Sequence, residues 1–133
     1  MRKSLLIALL VAVLAVAGCG GSDEEESATP AEASAQIDDI EVLLDRAVDE
    51  YRAGDADVAE ETVGDAYLEH FEEVEAPLGE IDHDFMEELE ERLSTEIRDD
   101  IKDGKPVNEV AALVEKTKAD LARAKAMLEE EAA

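Results

Sequence analysis

The stretch Ala66-Tyr-Leu-Glu-His-Phe-Glu-Glu-Val-Glu-Ala-Pro77 decides how this chain is expected to fold. Its apolar residues recur every three or four positions, which is the spacing of one face of an α-helix. On a wheel of about 100° per residue, His70 falls inside this face, Glu73 and Glu75 flank it, and Glu72 points the opposite way. An imidazole and two carboxylates are therefore expected to meet at the edge of a buried seam.

Similar apolar stripes on both sides of this stretch predict three further helices. The first is expected to stop at Gly54, the second to break at Pro77, the third to stop at Gly104, and the fourth to carry Pro106 in its first turn. No alternating strand pattern competes with this interpretation. Four amphipathic helices joined by short loops favour an all-α fold, an antiparallel up-down four-helix bundle spanning residues 34–133.

The first nineteen residues have the form of a lipoprotein export signal. Arg2 and Lys3 precede a short apolar run, which ends in small residues immediately before Cys19. We expect residues 1–18 to be removed as a signal peptide and Cys19 to be lipidated, because the run is too short for a typical membrane span. The alternative is an ordinary secreted protein with a chance cysteine. The lipid would place the protein on the outer face of the cytoplasmic membrane or in the periplasm.

Residues 19–33 are acidic and contain almost no large apolar side chain, so they are expected to form a disordered tether after the lipidated cysteine. Cys19 is the only cysteine of the chain. A disulfide framework and a thiolate metal site are therefore excluded.

The chain is strongly acidic, with 37 Asp and Glu against 12 Lys and Arg and a net charge of −25. Loss of Arg2 and Lys3 with the signal peptide would bring the charge to −27. This excludes nucleic acid as a partner and leaves the lipid as the main membrane contact. The fourth helix is much less acidic than the second and third and holds Lys116, Lys118, Arg123 and Lys125, so we expect it to neutralise a neighbour. Adaptation to high salt explains the acidity equally well.

Motifs for catalysis are missing from the sequence. It has no nucleophile paired with a base and no glycine-rich phosphate loop. A ferritin-like di-iron centre needs two Glu-x-x-His pairs on helices, whereas the single pair here, Glu80 and His83, falls in the turn after Pro77. The sequence therefore predicts a protein that is not an enzyme.

Several short motifs recur in the order known from one family: Tyr51-Arg-Ala-Gly-Asp55, Ala66-Tyr-Leu68 with Phe71-Glu72 and Glu75, Leu89-Glu90 before Leu93, and Ile97-Arg98. In these motifs the chain resembles the extracytoplasmic helical domain of high-affinity iron permeases. The resemblance implies a role in iron uptake through carboxylate-rich Glu-x-x-Glu motifs. It points to Phe71, Glu72, Glu75, Glu90 and Arg98. The sequence has a lipid-anchor signal in place of a permease segment, so the implied partner is a separate membrane iron permease.

The expected function is therefore binding of iron or another divalent cation as an accessory to uptake. Glu90 lies about 60° from the centre of its apolar arc and is expected to reach the second helix. His70 needs either a hydrogen-bonding partner or a metal, and the sequence leaves both open. The alternative function is that of an acidic structural or interaction lipoprotein of a high-salt envelope. The expected metal ligands are His70, Glu73, Glu75, Glu90 and Glu72.

Overall fold

The computed structural model describes residues 27–133; the predicted signal peptide, Cys19 and most of the expected tether lie outside the described residues. This part of the chain is all-helical, with four helices and no strand, which confirms the predicted class. No helix between residues 27 and 133 is both long and apolar enough to cross a membrane.

The four helices are joined by short connections, and two of them contain a π-helical turn, a turn widened by one residue. Helix α1 is Pro30–Ala53 and helix α4 is Val107–Ala132. Helix α2 runs from 56 to 81 and helix α3 from 83 to 102. Helix α2 consists of Ala56–Asp65, the π turn Ala66–Phe71 and Glu72–Ile81. Helix α3 consists of His83–Glu91, the π turn Arg92–Glu96 and Ile97–Lys102.

Helix α1 begins earlier than the sequence predicts. The Thr29 hydroxyl accepts a hydrogen bond from the Glu32 backbone N–H, and the Glu32 carboxylate accepts one from the Thr29 backbone N–H. This reciprocal cap fixes the first turn, in which Pro30 is favourable because its missing N–H has no helical partner there. Residues 30–33, expected in the tether, therefore belong to α1. Its predicted end is confirmed, since Gly54 has a φ of 95°.

The predicted break of the second helix at Pro77 is wrong. Proline removes one helical hydrogen bond and crowds the preceding turn, at a cost of about 3 kcal/mol. Helix α2 nevertheless continues through Pro77 to Ile81. Pro77 and the next residue, Leu78, are both buried, so burial of their side chains offsets the lost hydrogen bond. Pro106 also differs slightly from expectation, because it lies immediately before α4 rather than in its first turn.

The apolar stripes of all four helices form one core, whose largest fully buried side chain is Phe71. Ion pairs also connect helices α1 and α4. Lys118 Nζ lies 2.6 Å from Asp45 Oδ1, and Lys125 Nζ lies 2.5 Å from Asp38 Oδ1. The expectation that the fourth helix neutralises a neighbour is confirmed, and that neighbour is α1.

Candidate cation site

The π turn of α2 changes which residues of the central stretch face the core. In α2 the fully buried hydrophobic residue after Ala66 is Phe71, five positions further along the chain. A π turn contains one more residue than an α turn, so the spacing between successive buried residues is longer there by one position. Tyr67 and His70 lie between these two residues, and both are half-buried. A wheel of uniform pitch places them inside the apolar face, whereas the structure places them at its edges.

His70 is on the side of α2 that faces α1. Its Nδ1 lies 2.6 Å from the Gln36 side-chain oxygen and 3.9 Å from Asp39 Oδ2, and 22% of its side chain is exposed. Glu73 is exposed and borders a shallow groove together with Gln36 and Glu32. The Nδ1 atom of His70 therefore has its hydrogen-bonding partner in a side-chain amide of α1.

Tyr67 is at the opposite edge, where α2 meets α3. Its hydroxyl donates to Glu90 Oε1 at 3.4 Å, and its ring packs against that of Phe71 with centroids 6.3 Å apart. Glu75 lies at the same place, and its Oε1 has less than 1 Å² of exposed surface and no hydrogen-bonding partner. We call Tyr67, Glu75 and Glu90 the Tyr67 cluster. The prediction that Glu90 reaches the second helix is confirmed.

The Tyr67 cluster carries negative charge that its own hydrogen bonds do not balance. Burial, with the charges of Glu75 and Glu90, raises the pKa of Tyr67 to about 12. Burial, followed by the charge of Glu90, also raises the pKa of Glu75, although the hydrogen bond with Tyr67 acts in the opposite direction. Tyr67 and Glu75 are thus harder to ionise, first because they are buried and then because negative charge lies near them. A cation at this position would reverse both shifts.

A cleft open to solvent leads to the Tyr67 cluster between α2 and α3. Glu72, Glu75, Glu80 and His83 line it, and small or apolar residues such as Ala76, Gly79 and Met86 complete it. Glu75 therefore borders both the cleft and the cluster. The charge of Glu72 also reaches Tyr67 and contributes to the raised pKa of its hydroxyl.

The other end of the interface between α2 and α3 is neutralised. Glu60 of α2 forms ion pairs with Arg98 and with Lys102, whose Nζ lies 3.2 Å from Glu60 Oε1. The guanidinium of Arg98 crosses α2 at Gly64, where a side chain would meet it at 3.7 Å. Arg98, which the resemblance singled out, thus has a structural partner in Glu60. Phe71, the other residue of that set without a carboxylate, is a core residue.

The five predicted ligands are therefore divided between two faces of α2. His70 and Glu73 lie toward α1, whereas Glu75 and Glu90 meet at Tyr67 and Glu72 lines the adjoining cleft. Within residues 27–133, no three His, Cys, Asp or Glu side chains are arranged closely enough to hold a metal ion. The oxygen that completes the Tyr67 cluster is a phenol, a ligand type that was not among the predicted ones.

Comparison with known proteins adds no relative: no family model, no curated protein and no solved structure matches the chain. The resemblance to the iron-permease domain therefore stays a prediction that depends on the motifs quoted for it.

Proposed function

We propose that this protein binds an iron ion or a similar hard cation through the Tyr67 cluster and acts as a lipid-anchored accessory to iron uptake. The observation that carries the proposal is the buried, unpartnered Oε1 of Glu75, which lies where the carboxylate of Glu90 and the hydroxyl of Tyr67 meet. A buried acceptor without a partner costs about 1–3 kcal/mol. Such a cost is common at functional sites, where a ligand supplies the missing partner.

The chemistry of the donors supports a hard cation. Carboxylate and phenol oxygens prefer ions such as iron and manganese over soft ions, which prefer sulfur. Two carboxylates neutralise a divalent ion, and Glu72 borders the approach as a third. Iron is the cargo of the protein in this proposal and takes part in no reaction here, so no catalytic role is proposed.

The test is calorimetric titration of the full chain with Mn²⁺, Zn²⁺ and Fe²⁺. We expect near-unit stoichiometry, and in Glu75→Gln and Glu90→Gln a loss of affinity of at least tenfold, about 1.4 kcal/mol. Glu73→Gln and His70→Gln are matched controls from the other face of α2 and should leave affinity unchanged. Equal affinity in Glu75→Gln and the unmodified protein would overturn the proposal.

The location is a separate part of the proposal. The sequence before residue 27 supports a lipid on Cys19, held at the outer face of the cytoplasmic membrane or in the periplasm. A separate membrane permease is proposed as the partner because of the resemblance to the iron-permease domain. Nucleic acid is not proposed as a partner, because the charge of −25 repels phosphate. Cys19→Ser should block processing or release the protein from the membrane fraction. Normal processing with unchanged membrane retention would contradict the anchor.

We also propose that the four helices alternate in direction, as in an antiparallel up-down bundle. The pairing of α2 with α3 supports this arrangement, because Glu60 contacts Arg98 near one end and Tyr67 contacts Glu90 further along. The ion pairs Asp38 with Lys125 and Asp45 with Lys118 follow the same opposed order along α1 and α4. Short connections between helices agree with it.

A second candidate function is that of an acidic structural or interaction lipoprotein. The absence of a ready-made group of three ligands among residues 27–133 favours it. In that case the carboxylates would hold only a diffuse ion atmosphere. Weak binding at many sites, unaltered by Glu75→Gln and Glu90→Gln, is the calorimetric result that would support this candidate over the first.

A further inference from the structure

The Tyr67 cluster has too few hydrogens for its oxygens. The Tyr67 hydroxyl has one proton, and two carboxylates, Glu75 and Glu90, lie against it. Its hydrogen bond to Glu90 is long at 3.4 Å, compared with about 2.7–2.8 Å for a typical O–H···O bond. Oε1 of Glu75 has no partner and almost no exposed surface. One proton therefore cannot satisfy the cluster, whereas one cation that contacts all three side chains can.

The position of the Tyr67 hydroxyl is fixed by packing on α2. The ring of Tyr67 contacts that of Phe71, and Phe71 is fully buried. The π turn Ala66–Phe71 contains both residues and turns Tyr67 toward α3. A ring held in this way presents its oxygen at a defined place, which is a requirement for a metal ligand.

We propose that Tyr67 binds a trivalent cation, ferric iron, directly as a phenolate, and that this selects the trivalent ion over divalent ones; the inference rests on the proposed function. On binding, the O–H bond of Tyr67 breaks, its proton passes to solvent and an oxygen–iron bond forms. No electron is transferred. The phenolate and the carboxylates of Glu75 and Glu90 together carry three negative charges, which balance the charge of a ferric ion. A divalent ion is already balanced by the two carboxylates and gains nothing from loss of the phenol proton.

The charge-transfer colour of iron phenolates provides a direct test. Ferric iron bound to a phenolate absorbs visible light, whereas ferric iron bound only by carboxylates lacks this band. The full chain is titrated with ferric citrate and, separately, with Mn²⁺. We expect a visible band with ferric iron in the unmodified protein and none in Tyr67→Phe. The affinity for ferric iron should fall at least tenfold in Tyr67→Phe, while that for Mn²⁺ changes less than twofold.

The second tyrosine of the chain gives a matched control. Tyr51 donates its hydroxyl to the Lys105 backbone carbonyl at 2.6 Å, on a different part of the molecule. Tyr51→Phe should keep both the colour and the affinity. Helical circular dichroism confirms that each variant is folded, and Tyr67→Phe removes only one oxygen from a half-buried ring.

The outcomes separate the two proposals. A visible band that persists in Tyr67→Phe, or ferric iron bound at Glu75 without any such band, overturns the role of Tyr67 and leaves the cation site standing. Absence of site-specific binding of any of the cations overturns the cation site and the role of Tyr67 together. Colour lost only in Tyr67→Phe, with Mn²⁺ binding retained, establishes the phenolate ligand.

Discussion

Two glutamates of α2 both face α3, yet their surroundings are opposite. Glu60 lies beside Arg98 and Lys102. Burial alone would raise the pKa of Glu60, but the hydrogen bonds and charges of Arg98 and Lys102 outweigh it and lower the pKa. Glu75 meets Tyr67 and Glu90 instead, and its pKa is raised. The same residue type on the same helix is thus neutralised at one end of the interface and left charged at the other.

The difference lies in whether the basic residues of the chain itself neutralise the carboxylate. At the Glu60 end, the fold supplies two cations and the interface is complete without a ligand. At the Glu75 end no Lys or Arg contributes to the shifted pKa values of Tyr67 and Glu75. A cation bound as proposed above would supply at the Glu75 end the positive charge that Arg98 and Lys102 supply at the Glu60 end.

The largest expected effect breaks the packing beneath the Glu75 end. Phe71 is fully buried and supports the Tyr67 ring. Phe71→Ala should lower the free energy of unfolding by about 3–5 kcal/mol, because it removes apolar contacts and leaves a cavity. Urea denaturation measures the change. Leu68, with 57% of its surface exposed in the same π turn, is the matched control, and Leu68→Ala should stay within about 0.5 kcal/mol. Similar losses in both variants would contradict the core position of Phe71.

The next prediction makes the Glu60 end resemble the Glu75 end. Arg98→Met keeps most of the side-chain volume but leaves Glu60 with Lys102 alone, and should cost about 1–2 kcal/mol at pH 7. Because the pKa of Glu60 is lowered in the folded state, its contribution is present above the pKa of the unfolded chain and is lost as pH falls through the folded pKa. The loss in Arg98→Met should therefore shrink in acid. A loss that grows as pH falls would contradict this account.

The third prediction removes the unbalanced charge at the Glu75 end. Without added metal, Glu75→Gln should raise the free energy of unfolding at pH 7 by about 1 kcal/mol, since an ionised acceptor without a partner is lost. The raised pKa of Glu75 means that the folded state holds the proton more tightly, so its penalty is complete above the folded pKa and vanishes below the unfolded one. The gain should therefore disappear in acid.

One control variant and one measurement with a bound cation complete this test. Glu73→Gln, at an exposed position on the other face, should change stability little at either pH. A bound cation should stabilise the unmodified protein more than Glu75→Gln, because only the former offers the complete cluster. Destabilisation by Glu75→Gln at pH 7 would show that Glu75 has a structural role.

The sequence predicts the fold class and most helix ends because apolar spacing and caps such as Gly54 are local signals. It fails at Pro77 because burial of the side chains overrides a local preference, which no local rule registers. The helical wheel places Tyr67 and His70 inside the apolar face because it assumes a uniform pitch through Ala66–Phe71, where the chain forms a π turn and both residues lie at the edges of that face. Only the five-residue step in burial reveals that turn, and burial is a property of the folded chain.

Among the candidate ligands, the sequence identifies the carboxylates but cannot decide which of them has a partner. The position of Glu90 on its helix correctly predicts contact with α2. His70 is singled out as a rare imidazole on an apolar face, yet the partner of its Nδ1 atom is Gln36, a residue 34 positions away that carries no recognisable signal. Tyr67 is not among the predicted ligands, because only the fold brings Glu75 and Glu90 beside its hydroxyl.

The smallest predicted effect concerns the neutralised end and tests whether Arg98 needs the space it occupies. Gly64 lies inside α2, where glycine is destabilising by about 0.5–1 kcal/mol relative to alanine. An added side chain would meet the Arg98 guanidinium at 3.7 Å, an ordinary van der Waals contact. Gly64→Ala should therefore raise the free energy of unfolding by about 0.5–1 kcal/mol, measured by urea denaturation, and should do so equally in an Arg98→Met background. If Gly64→Ala destabilises the protein only while Arg98 is present, the added methyl group has pushed the guanidinium away from Glu60. The ion pair of Arg98 with Glu60 then requires a residue without a side chain at position 64.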